Sequence, residues 1–252
     1  MRCALAIVSY KGDLHWLSYC LRFLTRNWKE PGTPIFVRLE HDCRETVETW
    51  KVPQVHYSFV DPWPDGYQRH MFLKLTWDYV IGEEFDLVIM IDSDLMLTEP
   101  CFLADLVDGQ GKPVIDWLDW HDSPQAEKAW RGCTSRAMGM DLDRDYMCSA
   151  PLVYRRETIP LTRLHIEKVT GQPLEQFMYS STPFRTENFH AHPMKLADYE
   201  ALGLYAAKYQ SDKYALRSCH ERPVPWPWRL YWSRGDWNET LQSYFAHRLG
   251  TY

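Results

Sequence analysis

The sequence predicts an α/β fold with a mixed, mostly parallel sheet flanked by helices, and a helical, aromatic-rich C-terminal part. Short apolar segments alternate with amphipathic ones along the first half of the chain, which is typical of parallel sheets. One apolar run, at residues 87–91, has the composition of a strand that is buried on both faces. The 252 residues are 45% hydrophobic, which is sufficient for one domain with a large core.

The first half of the chain contains the clearest predicted strands and helices. The strands are predicted at residues 3–8, 35–39, 55–60, 87–91 and 112–117. A first helix is predicted after Asp13, a suitable N-cap, because apolar residues recur there three or four positions apart. Its apolar stripe consists of Leu14, Leu17, Leu21, Leu24 and Trp28. A second helix is predicted at residues 69–80, with Leu73 and Trp77 on its apolar face.

The second half of the chain has weaker patterns. Residues 118–136 are polar and aromatic, and we expect a loop or lid there. A strand is predicted at residues 148–156, and helices at residues 159–170 and 196–209. The tail that follows is too short to be stable by itself. We therefore predict a single domain over residues 1–252, with no independent tail domain.

Charge and cysteine content limit the classes of function. With 28 basic and 34 acidic residues, the net charge is −6, which does not favour a general nucleic-acid-binding surface. The seven cysteines are dispersed and form no C-x-x-C pair, so their spacing indicates reduced thiols rather than a zinc site or a disulfide framework. The N-terminus lacks the features of a signal peptide, and no apolar run approaches the roughly 20 residues that span a bilayer. We expect a soluble, cytoplasmic protein.

Two carboxylates follow the most apolar predicted strand. Asp92 and Asp94 lie one residue apart at its C-terminal end, where open α/β sheets bind ligands. Such a pair suits a hard divalent cation, which takes oxygen ligands and often bridges to a substrate phosphate. The alternative is structural, because Asp side chains also satisfy backbone donors in the turns after strands. The apolar run before the pair favours the metal site, and with it a phosphate-bearing substrate.

Four segments carry a resemblance to a known family. They are SYKGDLHWL near the N-terminus, GYQRHMFLKL at 66–75, IDSDLML at 91–97 and ADYEALGLY at 197–205. Together they resemble the GT-A glycosyltransferases, and more narrowly a little-characterised bacterial and phage group of such enzymes. The resemblance implies a Rossmann-like GT-A fold in which a divalent metal bridges the diphosphate of a nucleotide sugar. Residues 1–117 would then bind the nucleotide sugar, and residues 118–252 would bind the acceptor.

The resemblance assigns the first donor contacts to residues near the N-terminus. Ser9, Tyr10 and Lys11 would lie on the loop after the first strand, where GT-A enzymes hold the nucleotide. Asp42 follows the second strand and would lie near the base or the ribose. The donor implied is a nucleotide-diphosphate sugar, with a UDP-sugar expected.

The resemblance places further donor contacts on the predicted second helix and after the fourth strand. Lys74 would reach the diphosphate, with Gln68 and Arg69 in the same neighbourhood. An exposed helix lysine is the alternative for Lys74. Asp92 would lie near the donor ribose or sugar, and Asp94 would bind the metal directly.

A third metal ligand is expected late in the chain, because several GT-A families use a His there. His220 is the best-placed candidate, and His190 and His192 are its rivals. With Asp92 and Asp94, an imidazole would suit Mn²⁺, whereas carboxylates and phosphates alone also suit Mg²⁺. A structural role is the alternative for a lone His.

An inverting transferase also needs a base for the acceptor hydroxyl. Glu200 is the first candidate for the base or for an acceptor-binding residue, since it lies early in the predicted helix of the fourth family-like segment. Its alternative role is a favourable charge near the N-terminus of that helix. Asp116, Asp119 and Asp122 are the other candidates. Retaining and inverting chemistry both stay open.

The acceptor is open between a saccharide or lipid-linked sugar and a modified base in DNA. The tail combines arginines with aromatic faces, which stack on sugars and on unpaired bases. The residues concerned are Trp226, Trp228, Trp232, Trp237, Arg222, Arg229 and Arg234. The net negative charge of the chain favours the saccharide or lipid-linked acceptor over DNA.

Three other classes of protein compete with a transferase. A haloacid-dehalogenase-type phosphatase also has Asp-X-Asp after an apolar strand, but there the motif closes the first strand, whereas Asp92 closes the fourth. A sugar nucleotidylyltransferase needs a Gly-rich phosphate loop, and the segment SYKGD has one glycine. A non-catalytic carbohydrate- or nucleic-acid-binding protein would use the Trp-rich tail and keep the aspartates for structure alone.

Overall fold

The computed structural model describes residues 1–63, 66–123, 125–148, 150–179, 196–221, 226–231 and 239–249. The strands in these ranges are β1 (Cys3–Val8), β2 (Ile35–Glu40), β3 (Val55–Val60), β4 (Leu87–Asp92), β5 (Leu95–Leu97), β6 (Val114–Trp117), β7 (Leu152–Arg155), β8 (Ala215–Ser218) and β9 (Trp228–Leu230). The helices are α1 (Leu14–Asn27), α2 (Arg44–Glu48), α3 (Gly66–Lys74), α4 (Gln125–Met138), α5 (Thr158–Thr170), α6 (Leu174–Tyr179), α7 (Asp198–Tyr209) and α8 (Glu239–Leu249).

A five-stranded mixed sheet in the order β3-β2-β1-β4-β7 forms the centre of the fold. The first four of these strands are parallel, and β7 runs antiparallel to β4. From β1 the chain moves outward to β2 and β3, then crosses back to β4 on the other side of β1. This reversal is a topological switch point, and ligands of open α/β sheets bind outside the carboxyl ends of the strands that flank it.

Two smaller sheets accompany the central one. β5 pairs antiparallel with β9, which attaches the tail to the turn that follows β4. β6 pairs parallel with β8, with Trp117 opposite Ser218 at the carboxyl ends of both strands. The pairing of β5 with β9 and of β6 with β8 therefore brings the C-terminal part of the chain next to segments from its first half.

Apolar layers cover both faces of the central sheet. The residues of β1 alternate between them: Ala4, Ala6 and Val8 pack on the side of α3, α5 and α7, whereas Cys3, Leu5 and Ile7 pack on the side of α1 and α8. β4 alternates in the same way, with Val88 and Met90 facing the layer that includes α3 and α7. Asp92 follows them at the same two-residue spacing and therefore faces the same layer.

The α/β fold with a mostly parallel sheet flanked by helices is confirmed, and two predictions about helices are wrong. The helix predicted at residues 69–80 ends at Lys74, and a separate 3-10 helix follows at Trp77–Tyr79. The Arg38 guanidinium binds the carbonyl oxygens of Leu73 (2.9 Å) and Thr76 (3.1 Å), which the end of the helix leaves accessible. Residues 118–136 do not form only a loop, since α4 begins at Gln125.

Helix α4 has one buried face, which the polar average composition of its segment does not indicate. Trp130, Cys133, Thr134 and Ala137 are all buried, at the three- and four-residue spacing of one helix face. The other predicted elements of the second half are present with shifted ends: the strand at residues 148–156 is reduced to β7, and the helix at residues 196–209 begins at Asp198.

The expectation that all cysteines are reduced is wrong for one pair. Cys148 and Cys219 form a disulfide, whereas the other five cysteines are buried and not disulfide-bonded. The two cysteines are 71 residues apart in sequence, so their approach depends on the tertiary fold. No helix within the described ranges is long and apolar enough to cross a membrane.

Candidate functional site

The switch point brings the ends of β1 and β4 side by side. Val8 lies opposite Asp92 in the parallel register, so the loop that begins at Ser9 starts next to the Asp-X-Asp motif. Asp94 lies on the two-residue turn between β4 and β5 and is half-buried. Its carbonyl oxygen accepts a hydrogen bond from the Tyr231 amide at 2.9 Å, which ties the turn to the tail.

Asp92 is held by two side chains from the helical layer. Its Oδ1 accepts hydrogen bonds from Lys74 Nζ at 2.7 Å and from the Tyr199 hydroxyl at 3.0 Å. Lys74 is the last residue of α3, and Tyr199 lies in the first turn of α7. The Asp92 side chain is 30% exposed, so part of it is open to solvent.

Lys74 is a buried cation shared between two carboxylates. Its side chain is 6% exposed, and Nζ lies 3.4 Å from Asp198 Oδ2 as well as 2.7 Å from Asp92. The same ammonium lies 3.9 Å from the centroid of the Tyr199 ring, in cation–π geometry. The exposed-lysine alternative for Lys74 is therefore wrong, and its predicted contact with a diphosphate stays a prediction.

The two carboxylates that share Lys74 have opposite pKa shifts, although the lysine lowers the pKa of both. Burial opposes ionisation of Asp92, but the Lys74 ammonium and the hydrogen bonds from Lys74 and Tyr199 lower its pKa below the usual value. Burial raises the pKa of Asp198 to about 6, because Lys74 offsets only part of the desolvation. The pKa of Lys74 is raised: burial opposes its charge, and the two carboxylates outweigh that effect. Lys74 is therefore charged at neutral pH.

Asp198 and Tyr199 were missed by the sequence reasoning, although both lie in the ADYEALGLY segment. That reasoning chose Glu200 in the same segment. In α7 the side chain of Glu200 points elsewhere: its Oε2 accepts a hydrogen bond from the Tyr146 amide at 2.8 Å, and the residue is 0% exposed. Adjacent helix positions differ in direction by about 100°, so choosing among them needs the orientation of the helix, which the segment alone does not supply.

His70 lies one helical turn before Lys74 in α3. Its Nε2 is buried and has no hydrogen-bond partner among the described residues. Burial lowers the pKa of His70 to about 3, and the nearby positive charge of Lys74 acts in the same direction. His70 is therefore neutral in the folded protein down to acidic pH.

We expect His70 to produce a measurable loss of stability in acid. Below pH 6.5 the unfolded chain protonates this imidazole, whereas the folded protein does so only near pH 3. The free energy of unfolding should therefore decrease as the pH is lowered through this window. This group contributes up to about 1.4 kcal/mol per pH unit to that decrease. His70→Gln should remove that part of the slope in urea titrations with EDTA. The same change at the exposed His56 is the control, and an equal effect of both substitutions would contradict the prediction.

The predicted nucleotide contacts lie at the same edge of the sheet. Ser9 is buried, and its Oγ has no hydrogen-bond partner among the described residues. Tyr10 is exposed, and Lys11 Nζ forms an ion pair with Asp42 Oδ2 at 3.3 Å. This ion pair joins the loops after β1 and β2, and the predicted nucleotide contacts of Lys11 and Asp42 stay predictions.

Gln68 and Arg69 are both buried on α3. Arg69 forms a close ion pair with Glu40 at the end of β2, so it connects α3 to the neighbourhood of Asp42. Glu40, Asp42 and Cys43 have potential ligand atoms within 4.8 Å of one another. Neither of the two groups of three such residues in the described ranges includes Asp92 or Asp94.

The remaining candidates lie beyond β6 and β8. His220 Nε2 lies 3.4 Å from Asp122 Oδ2. Asp116 is buried and makes a two-point ion pair with Arg217, at 2.6 and 3.1 Å. Asp119 and Asp122 are exposed on the segment before α4. The rival candidates His190 and His192 lie outside the described residues.

The described part of the Trp-rich tail packs against the domain. Trp228 is buried in the core, and Trp226 is half-buried with its Nε1 donating to the Ala150 carbonyl oxygen at 3.0 Å. Arg229 is exposed on β9. The other members of the predicted aromatic and basic cluster, Trp232, Trp237, Arg222 and Arg234, lie outside the described residues.

Comparison with known proteins adds no family to these observations. No protein-family model matches the chain, and a search of curated proteins finds no match.

Proposed function

We propose that this protein is a metal-dependent glycosyltransferase of the GT-A type that uses a nucleotide-diphosphate sugar, with a UDP-sugar as the expected donor. The observation that carries the proposal is the position of Asp92 and Asp94 at the switch point, with the buried Lys74 ammonium 2.7 Å from Asp92. A departing diphosphate needs positive charge to stabilise it. Here the carboxylates would hold a divalent ion, and Lys74 is a fixed cation beside them.

The turn after β4 has a donor set that fits Mn²⁺ or Mg²⁺. Asp94 is half-buried there, and Lys74 and Tyr199 both bind Oδ1 of Asp92, so its Oδ2 would be the oxygen offered to an ion. Two carboxylates and the phosphates of a substrate form the oxygen environment that these ions prefer. A bound ion would stabilise the negative charge that develops on the diphosphate. His220 is not included in this donor set, because its Nε2 lies against Asp122.

The side chains around Asp92 would prepare the site before the donor binds. Lys74 and Tyr199 fix one carboxylate oxygen from two different helices, so Asp92 needs little reorganisation on binding. The positive charge of Lys74 would also offset the repulsion between the donor diphosphate and the carboxylates. The loop from Ser9 to Lys11 begins beside Asp92 and would contact the nucleotide.

The base is not assigned to Glu200 in this proposal. Glu200 is buried and accepts a hydrogen bond from the Tyr146 amide. These contacts fit a structural role in which Glu200 connects α7 to the segment that precedes β7. Asp119 and Asp122 are exposed and stay candidates for acceptor contact. The acceptor is proposed to be a saccharide or lipid-linked sugar. The packing of Trp226 and Trp228 reduces the aromatic surface that would stack on a modified DNA base or serve a non-catalytic binding protein.

A thermal-shift experiment tests the donor site directly. Nucleoside diphosphates and nucleotide sugars are each added with Mn²⁺, with Mg²⁺ or with EDTA. A ligand at about 100 times its dissociation constant should stabilise the folded protein by about 2.7 kcal/mol. We expect a shift with one class of nucleotide, UDP first, and only when a divalent ion is present.

Two variants decide how that experiment is interpreted. Asp94→Ala should abolish the metal-dependent shift, whereas Asp212→Ala, at an exposed position on another loop, should leave it unchanged. Absence of a shift with every nucleotide in the presence of metal would overturn the proposal. An equal shift in EDTA would also exclude metal-dependent donor binding.

A further inference from the structure

A second group of potential metal ligands lies beyond the parallel pair of β6 and β8. Because Trp117 lies opposite Ser218, the segments that leave these two strands emerge side by side. One segment carries Asp119, His121 and Asp122, and the other carries His220. These side chains are about 100 residues apart in sequence and meet only in the folded chain.

The two imidazoles converge on one carboxylate oxygen. His121 Nε2 lies 3.3 Å from Asp122 Oδ2, and His220 Nε2 lies 3.4 Å from the same atom. Asp119, His121 and Asp122 have ligand atoms that all lie within 4.8 Å of one another. His220 is not within that distance of all three, but its Nε2 lies against Asp122, so a small movement of its exposed side chain would add a second imidazole to the group.

Several contacts fix the segments that carry these side chains. The Asp122 amide donates to the Asp119 carbonyl oxygen at 3.0 Å, and Ser123 Oγ donates to the buried Asp145 at 2.5 Å. The other segment is fixed by the disulfide between Cys148 and Cys219, the residue immediately before His220. The backbone on both sides of the cluster is thus anchored, which lowers the cost of ordering the ligands around an ion.

We propose that Asp119, His121, Asp122 and His220 form a site for a divalent transition ion of the zinc type, separate from the carboxylates at the end of β4. Two imidazoles and two carboxylates are a tetrahedral donor set that Zn²⁺ takes, whereas Mg²⁺ prefers oxygen ligands alone. The carboxylates supply negative charge to balance the ion. The exposure of the imidazoles, 75% for His121 and 68% for His220, keeps the site open to an ion from solvent.

The proposal assigns His220 a role different from the one predicted from the resemblance. His220 serves an ion held with His121 instead of completing the Asp92 and Asp94 site. The zinc-type site does not depend on the transferase activity, because none of its four ligands is required for donor binding in the function proposed above. The site lies on the segment between β6 and α4, which carries the candidate acceptor contacts Asp119 and Asp122. A bound ion would therefore order that segment.

Direct metal titration tests the site. The full chain is freed of metal with a chelator, dialysed and titrated with Zn²⁺ by calorimetry, and with Co²⁺ by visible absorption. We expect one equivalent of Zn²⁺, the intense visible bands of low-coordinate Co²⁺, and no competition from a large excess of Mg²⁺. The double substitution His121→Ala, His220→Ala should weaken Zn²⁺ binding by at least about tenfold.

Three controls make the result decisive. His56→Ala removes an exposed histidine elsewhere and should leave the titration unchanged. Asp94→Ala should also leave Zn²⁺ binding unchanged, which distinguishes this site from the proposed donor site. Thermal unfolding without metal checks that each variant folds. Retention of wild-type affinity in the double variant, or its loss in Asp94→Ala alone, would overturn the proposal.

Discussion

Asp94→Ala is expected to reduce the metal-dependent release of UDP from a UDP-sugar by at least about 10²–10³-fold. In the proposed mechanism this residue is the direct ligand of the ion that stabilises the diphosphate. Its side chain lies on the turn between β4 and β5, and the contact that ties this turn to Tyr231 uses the Asp94 backbone carbonyl. The substitution should therefore remove the ligand while the fold persists. Donor hydrolysis in the absence of an acceptor, measured with saturating Mn²⁺, provides the assay.

Two further variants separate metal binding from a general loss of structure. Asp94→Asn keeps the size of the side chain and removes its charge, so it should lose nearly as much activity as the alanine variant. Asp212→Ala should retain wild-type activity, since Asp212 lies on an exposed turn after α7. Comparable activity in Asp94→Ala and Asp212→Ala would contradict a role for Asp94 in catalysis.

The fold class was predictable because the strands of the central sheet are locally encoded. β1 and β4 are continuous apolar runs, and such runs predict strands buried on both faces without knowledge of their neighbours. α4 was missed since its buried stripe is carried by Trp130, Cys133, Thr134 and Ala137 within a polar segment, where average composition predicts a loop. At the early end of α3 the carbonyl oxygens of Leu73 and Thr76 are bound by Arg38, a residue of β2 that is distant in sequence.

The candidate site was predictable only in part, for a related reason. Asp92 and Lys74 lie in segments whose position relative to the sheet edge follows from element order, and they do meet. Asp198 and Tyr199 depend on the rotation of α7 about its axis, which follows from its packing against α3, α4 and α5. His220 and the disulfide between Cys148 and Cys219 depend on the pairing of β6 with β8, which no local pattern specifies.

The second large effect is expected for stability. Lys74→Met should lower the free energy of unfolding by about 3–5 kcal/mol at neutral pH, because it leaves Asp92 and the fully enclosed Asp198 without their counter-charge. Methionine retains the length and apolar stem of lysine, so packing changes little. Urea denaturation at pH 7.5 measures the loss. Lys208→Met is the matched control: it breaks an exposed ion pair with Asp143, for which less than about 1 kcal/mol is expected.

The pH dependence of that loss identifies its cause. The pKa of Asp198 is already raised to about 6 with Lys74 present, and removal of the ammonium raises it further. A carboxyl group whose pKa is higher in the folded than in the unfolded state binds more protons when folded, so it favours folding increasingly as pH falls toward its unfolded value. The deficit of Lys74→Met should therefore shrink from pH 7.5 to pH 5, and adding Asp198→Asn should recover part of it at pH 7.5. A deficit that is independent of pH and unaffected by Asp198→Asn would show that packing alone, rather than the shared charge, holds α3 and α7 at the end of β4.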